Sequence, residues 1–461
     1  AMTVVEKCWK IPSIAVGVVL IAVGTYLIVE QPQEDIFRRS EVELVEGKTF
    51  YETTWISLNM RFKAYLFDVI NPDEIMEGEL PELVERGPYV YDMAMGKKVL
   101  SVDEETDEIE YMTTRTLHFN KKMSEGSEDD VVTLINSGYV GTIGAMHSRF
   151  PVFLPKFGNE IQKLFPGMDD IFVRGRVGDF MFDGAPMICD PVKYPEIKMI
   201  CGFFSTNMPE GIESTDVEGV YKWSFFGTIN GTAQGPFTVN RGVKNKTLLG
   251  DTTVFKGKRK QRLWGTPECN RVHGSDGVTW APMQKKLDRI FTFEPQICRI
   301  DYKRDVIIHG LVGWRYELSS QAWEPERFEC YCPQKKKVPI CPIKGVMDLT
   351  ACREAPLYYS EPHFLHGDPA LLEFAKGLSP NEKMHSNYVT IEPYSGVPLE
   401  GSKKLQISAK LFKSPIVTML ANVSEGYFPV FWVEEVRKYL IDQSLNVVKG
   451  TIHFFSPTSL M

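Results

Sequence analysis

The chain has 461 residues, 43% of them hydrophobic and 24% charged, with a formal net charge of −8 at pH 7. This is ordinary globular composition and excludes a disordered chain, a collagen and a polytopic membrane bundle. The acidic balance supplies no global basic field for a polyanion, so nucleic acid is not expected as a partner.

Residues 1–10 carry Lys7 and Lys10 and read as a cytoplasmic tail. Residues 11–29 contain no charge, and as a helix these 19 residues would span roughly 28 Å, about one hydrocarbon core. We read them as a transmembrane helix with its N-terminus in the cytoplasm, because both nearby lysines precede it. A cleaved signal peptide is the alternative. No small-x-small cleavage site comes after it, since the next residues are Val29-Glu-Gln-Pro-Gln33. Either way the rest of the chain enters the secretory route.

No repeat and no Gly/Ser- or Pro-rich linker divides the remainder of the chain, so residues 31–440 are expected to form one large extracellular or lumenal domain. Segments 99–102 and 109–113 flank the acidic run 103–108 and predict a hairpin. Segments 223–226, 237–239, 305–308 and 389–391 predict further strands, and 60–70, 131–134, 371–376 and 433–440 predict helices. Residues 139–172 are rich in aromatics, Gly and Pro. Pro151, Pro155 and Pro166 forbid one long helix there and leave a lid of short helices. Phe150, Phe153, Phe157, Ile161 and Phe165, with Lys156 and Lys163 nearby, are either core under that lid or an apolar cap for a lipophilic ligand with an anionic head group.

Eight of the nine cysteines lie beyond the apolar run: Cys189, Cys201, Cys269, Cys298, Cys330, Cys332, Cys341 and Cys352. In an oxidising compartment they allow up to four disulfides, six of the residues crowding into 269–352. The Cys330-x-Cys332 spacing does not suit a zinc knuckle. Asn230, Asn245 and Asn422 begin glycosylation motifs. His363-Phe-Leu-His366-Gly-Asp368 superficially resembles a metal cluster, but Pro362, Gly367 and Pro369 make it a loop. His273-Gly-Ser-Asp-Gly277 reads as a turn, since triad residues converge from separate elements. The run containing Lys256, Lys258, Arg259, Lys260 and Arg262 is a solvated turn or an extracellular anion-binding patch.

Several ordered motifs then converge. They include Gly87-Pro-Tyr-Val-Tyr91, Gly235-Pro-Phe-Thr-Val-Asn-Arg-Gly242, Gly274-Ser-Asp-Gly277, Cys330-Tyr-Cys-Pro333, Ser360-Glu-Pro-His-Phe364, Ile391-Glu-Pro-Tyr-Ser-Gly396 and Phe428-Pro-Val-Phe-Trp432. In order and number they resemble the class B scavenger receptor family, the group of fatty acid translocase and a lysosomal integral membrane protein. Phe182-Asp-Gly184 followed by Cys189 and Cys201 resembles the insect sensory neuron membrane proteins.

The resemblance implies a mainly β fold with some α: a large antiparallel β-barrel-like ectodomain with a central lipid tunnel and an apical short-helix cap at 139–172. It implies the pairs Cys269–Cys330, Cys298–Cys352 and Cys332–Cys341, leaving Cys189–Cys201 as a fourth. It implies a non-enzymatic membrane receptor that takes fatty acids, lipid pheromones or other lipids at its apex and passes them towards the bilayer, with bound lipid and no cofactor. The alternative is a docking receptor for lipoprotein, microbial or protein ligands through its basic patches. In the sensory branch an odorant receptor is the implied neighbour. The implied location is the cell membrane, or a lysosomal or endosomal one. The family's second transmembrane helix near the C-terminus is expected to be absent or truncated in 441–461.

Overall fold

The computed structural model describes residues 41–438 apart from 207, 209–210, 284, 294–296, 336–337 and 354–355. The tail, the apolar run 11–29 and the segment 441–461 lie outside the described residues. Among the described residues no helix is long and apolar enough to cross a membrane.

The dominant element is a 13-stranded antiparallel sheet. In spatial order its main path is Thr252–Phe255, Ala233–Asn240, Glu108–Phe119, Leu83–Asp103, Ser57–Val69, Gly426–Lys438, Pro398–Leu411, Tyr388–Ile391, Leu311–Glu317, Ile297–Ile308 and Arg289–Phe293. The two edge strands almost meet. Ser275 bridges to Asp251 on one side and to Thr292 on the other, and the Phe255 and Phe293 rings lie 5.6 Å apart. The sheet is therefore nearly closed into a barrel, matching the expected mainly β class.

Strand alternation sorts the side chains into an inner and an outer set. Phe62, Tyr91, Met93, Met95 and Lys97 point inward, while Arg61, Asp92, Ala94 and Lys98 face solvent. Phe62 packs edge-on against Phe226, which in turn meets Phe431. On the far side, residues 318–387 wrap the outer face of Pro398–Leu411 and Gly426–Lys438, and Gln406 Oε1 accepts from the His363 amide at 2.7 Å.

The expected hairpin is present: Leu83–Asp103 pairs with Glu108–Phe119, and Asp103 Oδ1 accepts from the amides of Glu105 and Thr106 to shape the turn. Segments 237–239, 305–308 and 389–391 are strand as expected, whereas 223–226 is strand only to Trp223. Three expected helices are strands instead: 60–69 lies in Ser57–Val69, 131–134 in Val131–Ile135, and 433–438 in Gly426–Lys438. Segment 371–376 is helical only within Ala370–Glu373. The error at 60–70 has a physical cause. Phe62, Ala64 and Leu66 face inward while Phe67, on the other face, is covered by His363 at 5.3 Å between rings. Burial on both faces erases the period-two signal that would have marked a strand.

Candidate functional site

The helical segment after Ile135 shapes one end of the barrel. Asn136 accepts from the Tyr139 amide at 3.0 Å and caps the helix Ser137–Arg149. Pro151 and Pro155 then divide the chain into the 3-10 turn Pro151–Phe153, the helical turn Leu154–Phe157 and the 3-10 turn Ile161–Leu164. His147 stacks on Phe412 at 4.4 Å, just past the strand Pro398–Leu411. Ser57 and Lys438 lie at the opposite end of the barrel, as the register of their strands requires.

The structure splits the residues expected to bind ligand. Phe157, Ile161 and Phe165 are buried in the core with Tyr139, Val140 and Ile143. Phe150 and Phe153 stay on the surface beside Val152, which is 85% exposed. The Lys156 ammonium sits 5.1 Å from the Phe157 ring centre and remains exposed. Lys163 is engaged by Glu160 and by Glu196 at 3.5 Å, and its hydrogen bond to Glu160 holds its pKa above the usual lysine range.

Beneath the helix lies a cavity of about 740 Å³, within the range that holds small organic ligands. Val140 and Gly144 of the helix, Ile407 and Ala409 of the facing strand, and Trp264 and Tyr331 of the disulfide-rich region form much of its wall. His147, Lys410 and Glu425 add polar groups.

Towards the other end the inner face becomes charged. Lys97 lies 2.6 Å from Asp276, its pKa lowered by burial against the opposing pull of that carboxylate. Arg115 approaches Glu435 at 3.7 Å, and Lys403 approaches the same carboxylate at 3.9 Å. Arg115 and Lys403 point inward yet keep 37% and 45% of their side-chain surface exposed. Of these inner charges only Asp276 falls in a motif the sequence marks, and there it reads as part of a turn; Lys97, Arg115, Lys403 and Glu435 read as ordinary solvated positions.

The outer face holds a separate polar cluster. Glu85 accepts from Trp432 Nε1 at 2.6 Å and lies 2.7 Å from His363 Nε2, and the His363 and His385 rings stack at 4.4 Å. His366 is bracketed by Glu361 at 2.7 Å and Glu382 at 2.9 Å. The two histidines of the loop are thus each held by carboxylates. Among the described residues no group of three or more His, Cys, Asp or Glu could hold a metal ion.

Among the described residues three disulfides are formed: Cys189–Cys201, Cys269–Cys330 and Cys332–Cys341. The Cys298 side chain lies outside the described residues, and Cys352 Sγ is 3.3 Å from the Leu349 carbonyl. In the basic patch Arg259 is spoken for by Glu108 through two bonds of 2.9 and 3.1 Å, while Lys256, Lys258, Lys260 and Arg262 are exposed. Asn245 and Asn422 are exposed; Asn230 is half-buried and accepts from the Leu117 amide at 2.9 Å.

The model of the CD36 family matches residues 15–457, which is nearly the whole chain. The chain belongs to the CD36 family. Among its relatives is sensory neuron membrane protein 2 of Manduca sexta, 33% identical over 415 residues that cover 86% of this chain and 79% of the relative. Sensory neuron membrane protein 1 of Apis mellifera is 32% identical, covering 86% of this chain and 76% of the relative. Sensory neuron membrane protein 1 of Mamestra brassicae is 32% identical, covering 84% and 74%. The class B scavenger receptor assignment and the likeness to insect sensory members, both expected from the motifs, therefore hold. For this CD36-family chain the three described disulfides match the pairing that the resemblance implied.

Proposed function

We propose that the protein is a membrane receptor without catalytic turnover that binds fatty acids, lipid pheromones or other lipids and conducts them towards a bilayer. Ligands enter at the end carrying Phe150, Val152 and Phe153, occupy the cavity beneath Ser137–Arg149, and move along the inner face of the barrel. The observation that carries this reading is the cavity itself, which lies between that helix and the sheet, with Val140, Ile407, Ala409 and Trp264 giving it an apolar side and His147, Lys410 and Glu425 a polar one. Each methylene buried there contributes about 0.8 kcal/mol, so an acyl chain gains useful affinity from apolar contact alone. Membership of the family and the naming of its relatives as neuronal membrane proteins support a membrane location with the barrel outside the cell.

The test is native mass spectrometry of the purified full-length chain in detergent. We expect an acyl lipid bound near one-to-one, and a marked loss of it in Gly144→Trp, whose indole would fill the cavity from the helix side. Undiminished occupancy in that variant, with the fold intact by circular dichroism, would remove the cavity from the route.

A further inference from the structure

Arg437 belongs to the inner set of side chains. It lies two residues beyond Glu435 on the strand Gly426–Lys438, about 7 Å along it, and the residue between them, Val436, pairs with Arg61. Its partner in the neighbouring strand is Gly401, which offers no side chain. Arg437 is only 7% exposed, yet among the described residues its Nε and Nη2 find no hydrogen-bond partner. A buried guanidinium in that state is unusual, because an uncompensated charge in a protein interior is costly and its donors normally find acceptors.

The surroundings do not supply the missing acceptor. Of the carboxylates on this face, Asp276 is committed to Lys97 at 2.6 Å and also accepts from Trp55 Nε1 at 2.8 Å. Glu435 is shared by Arg115 and Lys403. Arg115 Nε is itself without a partner. Among the described residues, Lys97, Arg115, Lys403 and Arg437 thus face two carboxylates, both already engaged. Arg437 and Lys97 are close enough to repel, which adds to the lowering of the Lys97 pKa.

We infer that Arg437 anchors an anionic lipid headgroup, a carboxylate or a phosphate, inside the barrel at the end opposite the helices. The planar guanidinium presents two free donors to one anion, the arrangement that suits bidentate recognition of carboxylate or phosphate. Burial holds the Arg437 pKa down to about 9, which still leaves it charged at neutral pH. Gly426 lies at the helical end of the same strand, eleven residues or roughly 36 Å away. A lipid reaching Arg437 would therefore have traversed the barrel, so that this site selects at the exit rather than at the entrance. The inference rests on the conduit reading above.

The experiment uses the delipidated full-length chain in detergent and compares palmitic acid with hexadecanol, which share a chain and differ in the headgroup. Arg437→Gln is expected to weaken palmitate about tenfold or more while leaving hexadecanol within about twofold. Arg437→Lys is expected to restore most of the preference for the acid. Oleoyl lysophosphatidate run in parallel assigns the headgroup, the preferred anion being the one whose affinity falls further. Displacement of palmitate by inorganic phosphate as effectively as by lysophosphatidate would overturn the assignment to a lipid. Unchanged palmitate affinity in Arg437→Gln, or equal loss for acid and alcohol, would overturn the anion site while leaving the conduit standing. Failure of the unaltered protein to bind either ligand would instead overturn the conduit. Should Arg437→Gln not fold, Arg437→Met decides: it must weaken the acid more than the alcohol.

Discussion

Lys97 and Asp276 meet at 2.6 Å with side chains only 2% and 3% exposed, joining the strand Leu83–Asp103 to the turn that nearly closes the barrel. Asp276 also accepts from the amides of Val278 and Thr279, so one carboxylate both shapes its own turn and neutralises a lysine on the inner face. Removing it leaves a buried ammonium without a counter-charge. We expect Asp276→Ala to cost about 3–5 kcal/mol. Denaturant titration checks this, and Lys97→Met combined with Asp276→Ala should recover much of the loss. A cost near zero for the single change would mean that water reaches Lys97.

The Cys189–Cys201 bond spans 12 residues and ties the strand Ala185–Ile188 to the helix Lys198–Thr206, both sulfurs being buried in the main core. Replacing both cysteines by alanine is expected to lower stability by about 2–4 kcal/mol, mostly by freeing the unfolded chain. Thermal unfolding with and without the bond measures it. No shift would show that core packing alone holds the helix.

Two lysines near the helical end should behave differently. Lys163 already sits between Glu160 and Glu196, so Lys163→Gln is expected to change capture of an anionic lipid by less than about twofold. Lys156 is exposed and has no carboxylate within ion-pairing distance among the described residues, so Lys156→Glu should slow capture, and added salt should erase the difference. Association rates for palmitate at low and high ionic strength separate the two.

Acid should act on the outer-face cluster through two histidines with opposite signs. Burial, with His363 beside it, pushes the His385 pKa down to about 4 from an ordinary 6.5. The unfolded chain therefore takes up that proton first, and stability falls as pH drops from 6.5 towards 4. For His366 burial lowers the pKa, but the Glu361 and Glu382 carboxylates outweigh it and raise the value. Its contribution is complete below the unfolded value and is lost as pH rises through the raised one. In melting temperature against pH, His385→Gln should flatten the acid decline, and His366→Gln should remove a gain on the acid side. Identical profiles for both variants would contradict these assignments.

Much of the fold was legible where local chemistry and tertiary packing agree. The acidic run 103–108 marked a turn, the prolines 151 and 155 fixed the breaks between short helices, and the sequence Gly274-Ser-Asp-Gly277 read as a turn and is one. The strand Ser57–Val69 was misread because both of its faces are covered, so apolar residues fill consecutive positions. The site was only half legible. The aromatic segment gave the helical end, but its residues at 157, 161 and 165 are buried in the core and do not line the cavity. Arg437 could not be seen at all: within Val433-Glu-Glu-Val-Arg-Lys438 it looks like one member of a solvated charge run, and only the closure of the sheet buries it.

That closure has a consequence of its own. In a fully paired barrel, strand number and shear together fix the diameter, and widening it demands a new register around the whole circumference. Here the last gap is spanned by Ser275, whose amide donates to Phe291 and whose carbonyl accepts from Phe293, while the Gly274 carbonyl accepts from Thr252. The hoop is fastened by a clasp of loop rather than by another pair of strands. Its girth is set by how much chain lies between Phe255 and Arg289, so a bore suited to a bulkier cargo needs an insertion in one segment and leaves every other strand where it is.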